Sequence, residues 1–165
     1  MAILFGAKVW KTANNESNLS QDIIGKNSVV FTAGDTVGFE SGLMDLASTT
    51  DPVDGIVAKT VTMASDNQTV AKVQPEYYTV DESTEYLMGT NADLTGNATD
   101  VGTYYKLAGA TGAIVVDVTS GVQTTTSRNV MIKKVDPRGI GGTGSGSGLR
   151  ECSVIFVRKR TWIDQ

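Results

Sequence analysis

The sequence predicts an all-β protein, a small barrel or sandwich of short antiparallel strands. Short apolar runs with strand-like alternation recur at intervals of roughly 8 to 15 residues, as in β-sandwiches and barrels. Turn-forming residues, including 18 glycines, separate these runs. No stretch has the 3.6-residue apolar period of a helix of about ten residues or more.

The N-terminal residues predict an extended segment ahead of the main domain. Phe5, Ala7 and Val9 alternate with residues of the opposite face, which indicates a strand. The polar residues 12–22 that follow predict a loop or an arm. We therefore divide the chain into an N-terminal strand and arm-like segment, 1–27, and a β-barrel or sandwich domain, 28–165.

The first part of the domain alternates between short strands and turns. An apolar run at 29–31 predicts a strand, a Gly-Asp turn follows at 33–35, and alternation resumes at Val37 and Phe39. The pair Ser41-Gly42 predicts the next turn.

The middle of the chain predicts a long hairpin. Residues 55–65 are rich in β-branched side chains and predict one long strand, with a hairpin turn at Asp66-Asn67. Pro75 ends the returning strand because proline cannot donate to a central ladder. For residues 81–89 we predict at most a short helical turn.

The last third predicts four strands, at 104–109, 113–118, 129–137 and 152–160. The Gly- and Ser-rich run 139–148 between the last two predicts a flexible hairpin loop. It has no lysine and precedes a strand, so it lacks the pattern of a phosphate-binding loop.

The missing residue types argue against an enzyme. The chain has no histidine, which removes Ser-His-Asp and Cys-His nucleophile systems and histidine metal sites. Its single cysteine, Cys152, lies in a strand-like run and predicts a buried, inert thiol. Asp45, Asp51 and Asp54 lack the spacing of a calcium loop. Carboxylate pairs and Ser-Lys dyads remain possible without a recognisable motif, and we expect no cofactor and no metal.

The charge is unevenly distributed along the chain. Residues 1–100 contain 14 Asp or Glu and 5 Lys or Arg, a net charge of −9, whereas residues 101–165 contain 4 and 9, a net charge of +5. This division favours contact between copies or docking on a charged partner, unless the two parts neutralise each other within one fold. The overall net charge of −4 argues against binding to nucleic acid. No apolar stretch is long enough to span a membrane, and Lys8 comes too early for a secretory signal peptide.

Two groups of residues are candidates for contact with a partner protein, because arginine and tryptophan are frequent at interface hot spots. The alternatives are a solvated strand end for the C-terminal group and core filling for the N-terminal aromatic residues. Arg150, between the Gly-rich run and the last strand, completes the set. The candidates are Phe5, Trp10, Arg150, Arg158, Lys159, Arg160 and Trp162.

Residues 28–65 have an order of features that resembles a known family. An extended entry leads to Gly34-Asp35 and Val37, then to an Asp-Pro turn at 51–52 and a return strand at 55–58. This order resembles the capsid decoration, or cement, proteins of tailed bacteriophages. The resemblance implies a non-enzymatic structural protein of the virion, made in the host cytoplasm, that binds the outside of an icosahedral capsid. It also implies a homotrimer whose partner is the major capsid protein, with no role for nucleic acid or membrane.

Other functions remain open at the level of sequence. A different virion structural subunit, from a tail tube, a head-completion complex or a fibre base, is one alternative. A carbohydrate-binding β-sandwich is a further alternative, although it needs exposed aromatic residues on one concave face.

Overall fold

Short strands are the main regular secondary structure of the described chain. The computed structural model describes residues 6–11, 19–47, 49, 51–81, 83–94, 100–123, 128–137 and 150–157. The strands within these residues are β1 (Lys8–Lys11), β2 (Leu19–Ser20), β3 (Ile24–Gly25), β4 (Val30–Phe31), β5 (Thr36–Glu40), β6 (Leu43–Leu46), β7 (Gly55–Val57), β8 (Val61–Thr62), β9 (Tyr77–Thr79), β10 (Glu85–Gly89), β11 (Tyr104–Ala108), β12 (Val115–Asp117), β13 (Val130–Val135) and β14 (Glu151–Phe156). One π-helical turn covers Asn67–Ala71.

The strands form two six-stranded sheets and one two-stranded ladder. The first sheet has the order β1-β10-β14-β13-β11-β12, and the second has the order β2-β9-β7-β5-β6-β3. The remaining two strands form the β4–β8 ladder. Neighbouring strands run antiparallel, except that β3 and β6 are parallel.

The second sheet is the middle layer of three, because each of its faces packs in a different core. On β7, Ile56 belongs to the core shared with the first sheet, whereas the adjacent Val57 belongs to the core shared with the β4–β8 ladder. Consecutive strand residues point to opposite faces, so one strand serves both cores. Burial of each large apolar side chain, such as Phe156 or Phe31, contributes about 1.5–3 kcal/mol.

The structure confirms the predicted all-β class as a sandwich-like arrangement, and its described strands form no closed barrel. The strand and turn pattern of residues 29–46 and the four later strands are also confirmed. At the predicted turn between β5 and β6, Ser41 and Gly42 have φ values of 52° and 77°. Two successive positive φ values are typical of the tight turn that matches strand twist in a hairpin.

Four local predictions, all within residues 55–89, are wrong. Residues 55–65 do not form one strand, because β7 pairs within the second sheet and β8 crosses to β4. The predicted hairpin turn at Asp66-Asn67 begins the π-helical turn instead, and the described residues between this turn and β9 form no returning strand. Residues 85–89 form β10 instead of a helical turn, because Tyr86 and Met88 alternate into the core between the sheets.

The described part of the N-terminal segment contributes strands to both sheets. β1 pairs with β10, β2 with β9, and β3 with β6. The division of the chain at residue 27 stays a prediction. The predicted Gly-rich loop, 139–148, lies outside the described residues.

Candidate functional site

The structure separates the two predicted contact residues that it describes. Trp10 is 39% exposed on the edge strand β1, while its neighbour Val9 packs against the core between the sheets. The two residues lie at opposite ends of β10. Trp10 is next to Val9, which pairs with Tyr86 near the start of β10, whereas the backbone oxygen of Arg150 accepts a hydrogen bond from Thr90 N, just after its end. Four residues along a strand span about 13 Å, so Trp10 and Arg150 do not form one cluster.

Arg150 already has a local partner. Its Nε donates to Asp93 Oδ1 at 2.6 Å, and both side chains are about one-third exposed. An ion pair this open to water contributes about 0–1 kcal/mol, so Arg150 can exchange it for a partner at little cost. The other predicted contact residues, Phe5, Arg158, Lys159, Arg160 and Trp162, lie outside the described residues.

The uneven charge of the sequence maps onto the two large sheets. Residues 19–81, which form the second sheet and the β4–β8 ladder, carry nine Asp or Glu and three Lys or Arg, a net charge of −6. The other described residues carry six acidic and seven basic residues, a net charge of +1. Lys26 pairs with Asp45 within the acidic layers, and Lys106 pairs with Asp117 within the first sheet. Because each ion pair lies within one of the two groups of residues, neither pair changes the difference in net charge between them.

The turn between β4 and β5, which we call the Gly34–Asp35 junction, joins three parts of the molecule. The Gly34 amide donates to Val57 O at 2.8 Å in the second sheet, and Gly34 O accepts from Ala7 N at 2.8 Å. Gly112 N, in the turn between β11 and β12, donates to Asp35 Oδ1 at 2.7 Å. This turn therefore ties the N-terminal segment and the edge of the first sheet to the second sheet.

Asp35 is a buried carboxylate held by backbone amides. The residue is 1% exposed, and besides Gly112 it accepts from Thr32 N at 2.9 Å through Oδ2. Burial raises the pKa of Asp35, and the two backbone hydrogen bonds lower it by less, so the pKa stays above its ordinary value. The charge of this carboxylate is thus only partly compensated by its neighbours.

A cleft of ≈ 290 Å³ opens beside the junction, between the second sheet and the β11–β12 turn. Its wall combines polar groups with apolar ones. The lining includes Asp35, Thr36, Ala47, Thr49, Thr111 and Ile114. The sequence singled out Gly34-Asp35 as a turn but did not predict this cleft, because the cleft depends on the distant β11–β12 turn.

A second aspartate missed by the sequence reasoning organises the turn after β12. Asp117 Oδ1 accepts from Asn91 Nδ2 and from Thr119 Oγ1, both at 2.8 Å, and its Oδ2 accepts from Ser120 Oγ at 2.6 Å. The signal was the spacing Asp-x-hydroxyl-hydroxyl, which favours such side-chain turns. The same spacing at Asp81 places the hydroxyls of Ser83 and Thr84 on its carboxylate.

We expect Asp117→Asn to destabilise the protein by about 2 kcal/mol at pH 7, because an amide cannot accept this set of hydrogen bonds. Burial raises the pKa of Asp117, but the hydrogen bonds from Ser120, Asn91 and Thr119 outweigh burial and hold the pKa well below its usual range. The stabilisation is therefore present above the unfolded-state pKa of about 3.9 and is lost as the pH falls through the folded-state pKa.

Urea unfolding between pH 7 and pH 2 measures this effect. The variant should lose less stability on acidification than the wild type, because it lacks the carboxylate whose hydrogen bonds are lost on protonation. An unchanged slope in Asp117→Asn would contradict the role given to this carboxylate.

The described residues contain no group of three or more His, Cys, Asp or Glu that could hold a metal ion. Cys152 is fully buried, and burial raises the pKa of its thiol, which keeps it in the unreactive protonated form. Among the same residues, no helix is both long and apolar enough to cross a membrane.

Comparison with known proteins places the chain in no family. No protein-family model matches the sequence, and no curated protein matches it significantly.

Proposed function

We propose that this chain is a capsid decoration protein. In this role it is a structural protein of the virion that binds the outer surface of an icosahedral phage capsid and stabilises contacts between major capsid protein subunits. The observation that carries the proposal is the separation of charge between the layers, −6 on residues 19–81 and +1 on the other described residues. Charge arranged in this way steers docking and fixes the register between neighbouring subunits.

The use of the buried polar side chains supports a structural role. The buried carboxylates of Asp35 and Asp117 and the partly buried one of Asp81 accept hydrogen bonds from turn amides and hydroxyls. Asn67 joins the π-helical turn to β3 through Gly25 O. These groups make loops rigid, which suits a protein that presents a fixed surface to its neighbours.

The segment that resembles the decoration proteins also gives support. Its Gly-Asp turn forms the Gly34–Asp35 junction, and its return strand, β7, lies between β5 and β9 in the second sheet. The resembling residues therefore include β5 and β7, the two central strands of the second sheet.

Decoration acts by mass action. A protein that binds only the expanded shell stabilises that shell by its free energy of binding. A homotrimer on a three-fold position engages several capsid subunits at once, and each further contact gains from the effective concentration set by the first. This mechanism requires no cofactor and no catalytic group.

We expect the purified protein to be trimeric by light scattering and to co-sediment with expanded shells of the major capsid protein encoded in the same genome. Precursor shells of the same protein are the matched control and should leave it in the supernatant. Binding to the expanded shells should weaken as salt rises, because exposed charges are screened. Failure to bind either shell would contradict the proposal. Polymerisation into rings or tubes would also contradict it and would favour a tail-tube subunit.

A further inference from the structure

The cleft beside the Gly34–Asp35 junction has the features of a binding site that capsid decoration does not by itself require. Its volume of ≈ 290 Å³ lies at the lower limit of small-molecule pockets, which hold about 300–1,000 Å³. Space of this size suits one extended side chain better than a sugar chain or a nucleotide.

The carboxylate of Asp35 has free accepting capacity. An ionised carboxylate offers about four acceptor positions. In Asp35, Oδ1 accepts from Gly112 N and Oδ2 accepts from Thr32 N. Since Gly112 follows Thr111 in the turn that lines the cleft, the carboxylate faces this side of the molecule. A cation in the cleft would meet a buried negative charge that is only partly balanced.

Thr36 provides an independent sign of a missing ligand. Its Oγ1 is buried and has no hydrogen-bond partner, and the residue is 1% exposed. Thr36 pairs directly with Ile56, whose side chain points into the core between the two sheets, so the Thr36 side chain lies on the same face of the second sheet, and Thr36 lines the cleft. Leaving a buried hydroxyl without a hydrogen bond costs about 1–3 kcal/mol. A ligand in the cleft that donates a hydrogen bond to Thr36 Oγ1 would remove this cost.

We propose that this cleft is a socket for a lysine or arginine side chain of a neighbouring protein subunit. The cationic head binds Asp35 and Thr36, and the aliphatic stem packs against Ala47 and Ile114. The net charge of −6 on residues 19–81 attracts such a side chain. The socket is independent of the identity of the neighbour, so this inference goes beyond the proposed function.

Nuclear magnetic resonance titration with model side chains tests the socket. The probes are the N-acetyl methylamide derivatives of lysine and arginine. We expect both to shift the backbone amide resonances of Thr36, Thr111 and Gly112 in a saturable way. The matched norleucine derivative has a similar stem without the charge and should bind at least tenfold more weakly. Equal shifts with norleucine, shifts confined to residues outside the cleft, or no shifts with any derivative would overturn the socket.

Two variants test whether the chemical-shift changes arise from binding in the cleft. Asp35→Asn removes the charge, and Thr111→Trp narrows the mouth of the cleft at an exposed position while leaving Asp35 in place. Each should abolish the response to the lysine derivative, and an unchanged response in Thr111→Trp would overturn the proposal. If Asp35→Asn fails to fold, Thr111→Trp decides alone. Shell binding is measured separately, so failure of the socket and failure of capsid decoration are distinguishable.

Discussion

Replacing Gly34 by alanine is expected to destabilise the fold by at least about 3 kcal/mol. Gly34 has a φ of +93°, a conformation that alanine adopts only with strain. A Cβ at this position would also lie 2.9 Å from Gly6 Cα, which is backbone and cannot rotate away. Relief of this clash would pull the N-terminal segment from the junction and break the hydrogen bond from Ala7 N to Gly34 O.

Gly42→Ala is the matched control for this substitution. Gly42 also has a positive φ, +77°, but a Cβ there would meet nothing within 4 Å. Gly42→Ala should therefore lower the free energy of unfolding only by the conformational strain, about 1–2 kcal/mol. Urea unfolding followed by tryptophan fluorescence measures both variants. Equal losses would mean that the contact between Gly6 and Gly34 contributes nothing to stability.

Replacing Asn67 by alanine is expected to cost about 3 kcal/mol, because the change leaves buried backbone groups without partners. Asn67 is fully buried, and its Nδ2 donates to Gly25 O at 2.6 Å and to Val73 O at 3.1 Å. Its Oδ1 accepts from Val73 N at 2.8 Å. The side chain thus closes the π-helical turn and attaches it to β3.

Thr69→Ala tests whether the loss is specific to this network. Thr69 lies in the same π-helical turn, but it is exposed, and its hydroxyl donates only to Asp66 O, at 3.2 Å. Its replacement should change the free energy of unfolding by no more than about 0.5 kcal/mol. A similar loss in both variants would show that the whole turn, and not the Asn67 side chain, is sensitive to substitution.

The strands and tight turns could be predicted because their signals are local. Alternation at Val37 and Phe39 and the Ser41-Gly42 turn lie within a few residues of each other, and the structure confirms them. The pairing of strands is not local. Nothing in residues 55–65 indicates that β7 and β8 belong to different layers, since both carry the same β-branched pattern.

The site could be predicted only in part. The charge asymmetry is visible in the sequence, but β1 joins the first sheet through β10, so its lysines lie with the basic half of the chain and not with the acidic one. The burial of Asp35 depends on Gly112, which lies 77 residues away. The π-helical turn depends on Asn67 reaching Gly25 O across 42 residues. Contacts of this range have no signature in composition or periodicity.

Cryo-electron microscopy of expanded shells incubated with the purified protein tests the central claim most directly. We predict trimeric density on the outer surface at three-fold and quasi-three-fold positions, bridging neighbouring major capsid subunits. Bare shells at saturating protein, or density confined to a portal, tail or fibre, would contradict the claim that this protein stabilises the capsid from outside.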